Sequence, residues 1–390
     1  MVLLSIVFTA AILITISVLQ TAILVFFALQ LQRALKKYTY VAPENEALPS
    51  KDLPSVSVCI PARNETHAMA QCLERVLASD YEKLEIIVFD DGSSDDTSIL
   101  IRSFAHAGVR FVPGKKLPEG WLGKNHALDV LAREASGTYA LFLDVDTAVT
   151  PRTVSRMVDA MTARKLDMLS VIPSRDDTWR ASVFTGTLRY FWRLVFSTRR
   201  RPASSCAAWM INLDVLLGNL GGFGSHKGDV QPEAHIAAQI AEGSYGCVIS
   251  TPELGVSYEK RWSSQIETSR RLLYPMSGGT WRGGVVALAG LVLLNLPTFV
   301  IASGSIFGWG LAQVMAAWLL MAFMAVYCTY TARVWRRNWW LGGLLWPYVI
   351  LQELVVYVRS MWGYSRRTIT WKGRPVAAAV SRADYYEVDS

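Results

Sequence analysis

Two kinds of apolar pattern divide the chain. Long tracts at either end are apolar on every face: no charge occurs from Val2 to Gln32, and none from Gly283 to Ala332. A spanning helix needs roughly 20 apolar residues, so the first tract predicts one span and the second two. A break near SGSIFGWG (303–310) makes the second a helical hairpin, 283–332. A further apolar stretch, WWLGGLLWPYVILQELVVYV (339–358), holds Pro347, Gln352 and Glu353 between basic flanks. A re-entrant or interfacial helix fits it better than a full crossing. Residues 55–260 read differently. Short apolar runs, SVSVCIPA (55–62), LEIIVFDDG (84–92), VRFVPG (109–114) and YALFLDVD (139–146), alternate with helical patterns at 66–79, 95–107 and 124–135. This predicts a doubly wound, mostly parallel α/β sheet whose strands are covered on both faces. Such sheets bind ligands beyond the carboxyl ends of their strands. The runs end in Arg63, Asn64 and Glu65, in Asp90 and Asp91, and in Asp144 and Asp146.

Charge adds orientation. Arg33, Lys36 and Lys37 follow the first tract, Arg282 precedes the second, and Arg333, Arg336 and Arg337 follow it. The positive-inside rule then predicts a multi-pass protein of the cell membrane. Its expected parts are an anchor (1–32), a linker (33–54), a cytoplasmic domain (55–260), an interfacial helix region (261–282), the hairpin, and a cytoplasmic tail (359–390). The first tract lacks the basic start and small-residue cleavage site of a signal peptide, so the anchor is read as uncleaved. Net charge is +7, with 52% hydrophobic and 18% charged residues. The basic residues flank apolar tracts and form no nucleic-acid reader motif, so the expected partner is the bilayer and no nucleic acid. VFTGTLRYFWRLVFSTRRR (183–201) suits either a helix on the cytoplasmic leaflet or a core helix ending in a solvated basic turn. The five scattered cysteines, without CxxC, predict reduced thiols and no zinc site.

The strand ends carry the candidate chemistry. Residues i and i+2 of an extended chain face the same side, so Asp144 and Asp146 of DVD can share a divalent cation with oxygen ligands. The same pattern also suits a solvated turn. In FDDGSSDDT (89–97), Ser93 or Ser94 can cap a helix, with Asp95 and Asp96 in its first turn. Asp90 and Asp91 are then left to accept hydrogen bonds from a ribose or base. GWLGKNHAL (120–128) puts glycines and Lys124 before a helix start, a setting that favours a diphosphate but lacks Walker spacing.

Taken together, IPARNE (60–65), DDGSSDDT (90–97), GWLGKNHAL (120–128), LFLDVDT (141–147), GGFG (221–224) and TWKGR (370–374) resemble the membrane-bound family 2 glycosyltransferases. They are most similar to the subgroup acting on carotenoid- and hopanoid-type lipids. The resemblance implies a GT-A domain, Mn²⁺ or Mg²⁺, and inverting transfer of one sugar from a nucleotide-sugar donor, a UDP-sugar first, to a lipidic acceptor. It implies that Pro61, Arg63, Glu65 and Asp90 or Asp91 bind the donor near its nucleoside. Lys124 would lie near the diphosphate, and Asp144 and Asp146 near the metal. An inverting transfer needs a carboxylate base. In GGFGSHKGDVQPEAHIAAQIAEG (221–243) the family's adjacent acidic pair is missing. Pro232 fits a first helical position, which puts Glu233 where the base falls, with Asp229 as alternative and His235 as outsider. Arg261 and Trp262 lack the preceding Gln motif of polymer-forming members, which argues against a processive synthase. Arg270 and Arg271 face either the diphosphate or lipid phosphates. The alternatives are a polyprenyl-phosphate glycosyltransferase and a catalytically inactive nucleotide-binding membrane scaffold.

Overall fold

The computed structural model describes residues 2–43, 52–175, 188–240, 243–258, 262–307, 310–335 and 338–376. The tail 380–390, most of the linker's second half and the first part of 183–201 lie outside the described residues. The chain forms two compact units: residues 1–36, 178–196 and 261–366, and residues 37–177, 197–260 and 367–390.

The second unit is built on a seven-stranded sheet. Its strands are β1 (Val56–Ala62), β2 (Leu84–Asp90), β3 (Val109–Pro113), β4 (Tyr139–Leu143), β6 (Met168–Ile172), β8 (Ala208–Asn212) and β9 (Tyr245–Ile249), in the order β3-β2-β1-β4-β8-β6-β9. All pairings are parallel except those of β8, which opposes both neighbours. Three short strands, β5 (Thr147–Ala148), β7 (Ser174–Arg175) and β10 (Ser257–Tyr258), make a second sheet.

Alternation along β1 explains the layering, because successive side chains point to opposite faces. Val56, Val58, Ile60 and Ala62 pack with Met69, Leu73 and Val76 of α2 (Thr66–Leu77) and Met157, Val158 and Met161 of α5 (Thr153–Ala163). Cys59 lies with Ile87 and Phe89 in the other cluster, against Ala127, Leu128 and Leu131 of α4 (Gly123–Glu134) and Ile236 of α7 (Pro232–Gln239). In α2 the buried positions Met69, Cys72, Leu73 and Val76 follow the i, i+3, i+4, i+7 spacing of one helix face.

The expected elements are present with shifted boundaries. β4 stops at Leu143, so Asp144 to Asp146 form a turn closed by the Thr147 N–H donating to the Asp144 carbonyl at 2.9 Å. Strand alternation therefore does not orient the DVD pair. The α3 helix (Thr97–Ser103) begins at Thr97, because Asp95 accepts the Thr97 N–H at 3.1 Å and so stays outside it. The linker starts as helix: α1 (Val2–Tyr38) runs past the anchor, and the Tyr40 N–H donates to the Ile249 carbonyl at 3.2 Å.

In the helical unit, three segments are long and apolar enough to cross a membrane: Ile14–Tyr38 of α1, Trp281–Gly304 of α9 (Trp281–Phe307), and α10 (Leu311–Val334). The stretch 339–358 breaks into α11 (Trp339–Leu344) and the start of α12 (Trp346–Ser365), with Pro347 in the first turn of α12. Glu353 is buried in α12 and accepts the Trp192 indole N–H at 3.0 Å. Trp192 belongs to α6 (Arg189–Val195), a seven-residue helix whose Phe191 meets Phe27, Tyr327, Tyr330 and Trp346 edge-on. Of the described part of 183–201, Phe191, Leu194 and Val195 are buried, as the core-helix reading expects, and Arg199, Arg200 and Arg201 are exposed. The α8 helix (Trp262–Met276) is tied to α12 by Ser360 and Tyr364, whose hydroxyls donate to the carbonyls of Arg270 and Arg271 at 2.5 and 2.7 Å.

Leu131 is fully buried between α4 and the sheet. Leu131→Ala should destabilise the α/β unit by about 2–5 kcal/mol through lost transfer energy plus a cavity, read as a lower denaturant midpoint for the detergent-solubilised protein.

Candidate functional site

Because β2, β1 and β4 are parallel neighbours, their carboxyl ends share one edge of the sheet. Antiparallel β8 begins at that edge, where Ala208 pairs with Leu143. This topology gathers the candidate residues.

The two aspartates ending β2 separate in role. Asp90 accepts the Ser93 N–H at 3.1 Å and the hydroxyls of Ser93 and Ser98, so both its oxygens hold the turn. The serine expected to cap α3 thus caps the strand end instead. Asp91 is 2% exposed and is held from two sides. Arg374 donates to its Oδ2 at 2.6 Å, and Arg63 donates to its carbonyl. Burial raises the Asp91 carboxyl even so, against the pull of Arg374 and Arg63. Asn64, at φ +52°, bridges the loops: its N–H donates to Ser93 and its side-chain oxygen accepts from Ser94, both at 2.9 Å. Glu65 pairs with Lys372, whose ammonium also donates to the Arg63 carbonyl at 2.7 Å. Burial lifts the Glu65 carboxyl, and Lys372 opposes it. Pro61 sits inside β1 opposite Phe89 and is half-buried.

The DVD turn lies beside this group. Asp144 Oδ1 accepts from the Lys124 ammonium at 2.5 Å, and Oδ2 from the Cys206 thiol at 3.5 Å. Its backbone N–H donates to the Ala207 carbonyl at 3.0 Å. Cys72 reports how charge is gathered here. Burial, then the negative charge of Asp146, Glu65 and Asp144, push its thiol up to about 12. Two half-buried carboxylates on one turn are a hard oxygen donor set that suits Mg²⁺ or Mn²⁺. The Lys124 ammonium on Asp144 marks the same spot as one where positive charge is favourable. Lys124 is the second residue of α4, at the helix end where unpaired backbone N–H groups attract anions.

The base region is tied to the same helix. Asn125 of α4 donates to the carbonyls of His226 and Asp229 at 2.7 and 2.8 Å. Asp129 accepts the Phe223 N–H at 3.2 Å and so fixes the GGF turn, where Gly221 and Gly222 adopt φ +70° and +74°. A Cβ on Gly222 would stand 3.1 Å from Asp129 Oδ1, and positive φ disfavours any other residue. Asp229 Oδ2 meets His226 Nδ1 at 2.7 Å and His235 Nδ1 at 2.5 Å. Burial alone would raise the Asp229 carboxyl, but hydrogen bonds from both imidazoles hold it down at about 2. So acidic a carboxyl is a weak proton acceptor near neutral pH. Glu233 is 3% exposed in the first turn of α7, with Pro232 at the helix start as expected.

Arg270 and Arg271 belong to the helical unit, Arg270 exposed and Arg271 half-buried on α8. Motif reading assigned no role to Asn125, Asp129, Cys206, Lys372 or Arg374. TWKGR stands out as a motif, but nothing in its composition shows that its cations reach strand ends 307 and 283 residues earlier.

Comparison with known proteins bears on the domain and its fold. Residues 57–206 match the model of Glycosyl transferase family 2. An N-acetylglucosaminyltransferase of Rhizobium leguminosarum bv. viciae is 32% identical over 120 residues, 29% of this chain and 28% of that one. A GalNAc(5)-diNAcBac-PP-undecaprenol beta-1,3-glucosyltransferase of Campylobacter jejuni is 32% identical over 97 residues, 24% of this chain and 30% of that one. The chain thus spans less than a third of the length of either relative. A mannosyltransferase from Pyrobaculum calidifontis, solved with GDP-Man and Mn²⁺, superposes with a TM-score of 0.55 over 90% of this chain and 98% of that one, at 19% identity. The shared fold is GT-A; in this chain its main sheet is parallel except for β8.

The depressed Asp229 carboxyl has a stability signature. A lowered folded-state pKa stabilises above the unfolded value and is lost as pH falls through the folded one. Asp229→Asn should cost about 2 kcal/mol at neutral pH. The gap to wild type should persist down to about pH 4 and close towards about 2, followed by denaturant unfolding across that range.

Proposed function

We propose, from the premise that the chain carries a Glycosyl transferase family 2 domain, that it moves a single sugar from a nucleotide-sugar donor to a lipidic acceptor, with inversion. The observation that carries this is the single sheet edge bearing Glu65, Asp91, Asp144 and Asp146, next to Lys124 at the start of α4. Nucleotide-sugar transfer needs that combination: acceptors for a nucleoside, and positive charge for a departing diphosphate.

Asp144 and Asp146 would hold Mg²⁺ or Mn²⁺, which when bound supplies positive charge beside the diphosphate. Lys124 adds an ammonium at the same place and can exchange Asp144 for a phosphate oxygen. Asp91 and Glu65 orient the nucleoside. Glu233 takes the acceptor hydroxyl's proton, while Asp229, committed to His226 and His235, braces the loop that precedes it. In this assignment His235 is a partner of Asp229 and not the base.

The lipidic acceptor is supported by the three apolar helices of membrane-crossing length, and by a relative named for an undecaprenol-linked acceptor. The basic residues around those helices favour a multi-pass protein with the α/β unit in the cytoplasm. Single transfer fits the missing Gln motif before Arg261 and Trp262. Arg270 and Arg271 suit lipid or substrate phosphates by charge.

Labelled UDP- and GDP-sugars incubated with the purified protein and a membrane lipid extract test the proposal. Mn²⁺-dependent label should enter a lipid product, and chelator should abolish it. Glu233→Gln should lower kcat by about 10²–10⁴-fold. Near-wild-type turnover for that variant would point to a polyprenyl phosphate, an acceptor already ionised. Failure to transfer or hydrolyse any sugar nucleotide would leave only a nucleotide-binding scaffold.

A further inference from the structure

The C-terminal hairpin holds a place in the donor region that the proposed chemistry does not explain. Its strands, β11 (Thr370–Trp371) and β12 (Arg374–Pro375), pair Trp371 with Arg374 across a turn of Lys372 and Gly373, at φ +46° and +80°. Positive φ at both central positions is the primed hairpin geometry. A lysine in that conformation persists only where its surroundings over-determine it. Here the surroundings are Glu65 and the Arg63 carbonyl, both bound by the Lys372 ammonium.

Arg374 is the more informative partner. One guanidinium nitrogen lies 2.6 Å from Asp91 Oδ2, and another 3.3 Å from the Asp91 carbonyl. The pair is sheltered, with the Asp91 side chain 2% exposed and that of Arg374 24%. It packs against the first residue of α4: a Cβ on Gly123 would stand 2.8 Å from Asp91 Oδ2 and 2.9 Å from Arg374 Nη1. The hairpin thereby fills one half of the Asp91 carboxylate. The other half is different, because Asp91 Oδ1 is buried and has no hydrogen-bond partner among the described residues. A buried acceptor left unpaired is costly, and this one belongs to a carboxylate already implicated in the donor site.

We infer that the hairpin forms the base-recognition end of the donor site and that Arg374, by occupying Asp91 Oδ2, sets its selectivity for uracil over guanine. This rests on the nucleotide-sugar reading above. Guanine presents two adjacent parallel donors, N1–H and N2–H, which suit both oxygens of a carboxylate. Uracil presents one ring N–H between two carbonyls, which suits one. With Arg374 in place Asp91 offers one oxygen, and guanine's second donor would meet a guanidinium and stay unpaired. Sites built to match hydrogen bonds reject mismatched analogues strongly. Arg374 is a positioning residue here, acting through Asp91.

Equilibrium binding of UDP and GDP to the full-length protein in detergent with Mn²⁺ tests this. UDP should bind about tenfold or more tightly than GDP. Arg374→Met should weaken UDP and bring the two affinities within about threefold of each other, while Arg374→Lys, which can still hold Oδ2, should keep most of the preference. An unchanged thermal midpoint shows that each variant is folded. GDP binding as tightly as UDP to wild type, or an equal loss for both nucleotides in Arg374→Met, would overturn the inference and leave the donor-site reading standing. Binding of neither nucleotide to wild type would overturn that reading and the inference with it.

Discussion

Like charge crowded at one edge is the constraint around which the α/β unit is arranged. Parallel β1, β2 and β4 end together, and each end brings a carboxylate. Left alone in a half-buried setting, such groups would repel or take up protons. The fold gives most of them a cation from elsewhere in the chain: Lys124 for Asp144, Arg374 for Asp91, Lys372 for Glu65. In the neighbouring loop, hydrogen bonds to His226 and His235 hold Asp229. The result is a concentration of acceptors that stays folded and retains acceptor capacity, as Asp91 Oδ1 does.

The scaffold beneath this edge is rigid for ordinary reasons. Strands covered on both faces, with β1 alternating its side chains between two apolar clusters, leave little freedom for the strand ends to shift. The loops are stitched by short-range hydrogen bonds, Asn64 across to Ser93 and Ser94 and Asn125 across to His226 and Asp229. Asn125 has a particular part. One amide joins the start of α4 to the loop before α7, so the region assigned to the diphosphate and the region assigned to the base share a support.

Much of this was legible in the sequence. Continuous apolar runs ending in Asp or Arg-Asn-Glu gave the strands, their double coverage and the identity of the edge, because burial and chain alternation leave a local trace. The apolar tracts gave the helices of membrane-crossing length for the same reason. What local pattern could not give were outcomes decided by distant partners. Asp90 and Asp91 are adjacent and identical, yet one holds a turn through Ser93 and Ser98 while the other faces Arg374. Nothing local shows that Asp229 Oδ2 meets two imidazoles, those of His226 and His235. The DVD pair reads as the end of a strand, whereas β4 ends at Leu143, before either aspartate, and a turn does the orienting. The stretch 183–201 suits a surface or a core helix equally until Phe191 is seen among the aromatics of its own unit.

The position of Lys372 and Arg374 along the chain bears on biosynthesis. They come after the apolar helices of the described residues, while the carboxylates they neutralise are made before most of them. A nascent chain therefore carries Glu65 and Asp91 without these counterions until the hairpin, 307 and 283 residues further on, has been made. The acidic strand ends are thus completed only after the apolar helices have been made, and a product truncated before Thr370 would keep those helices but hold Glu65 and Asp91 without Lys372 and Arg374.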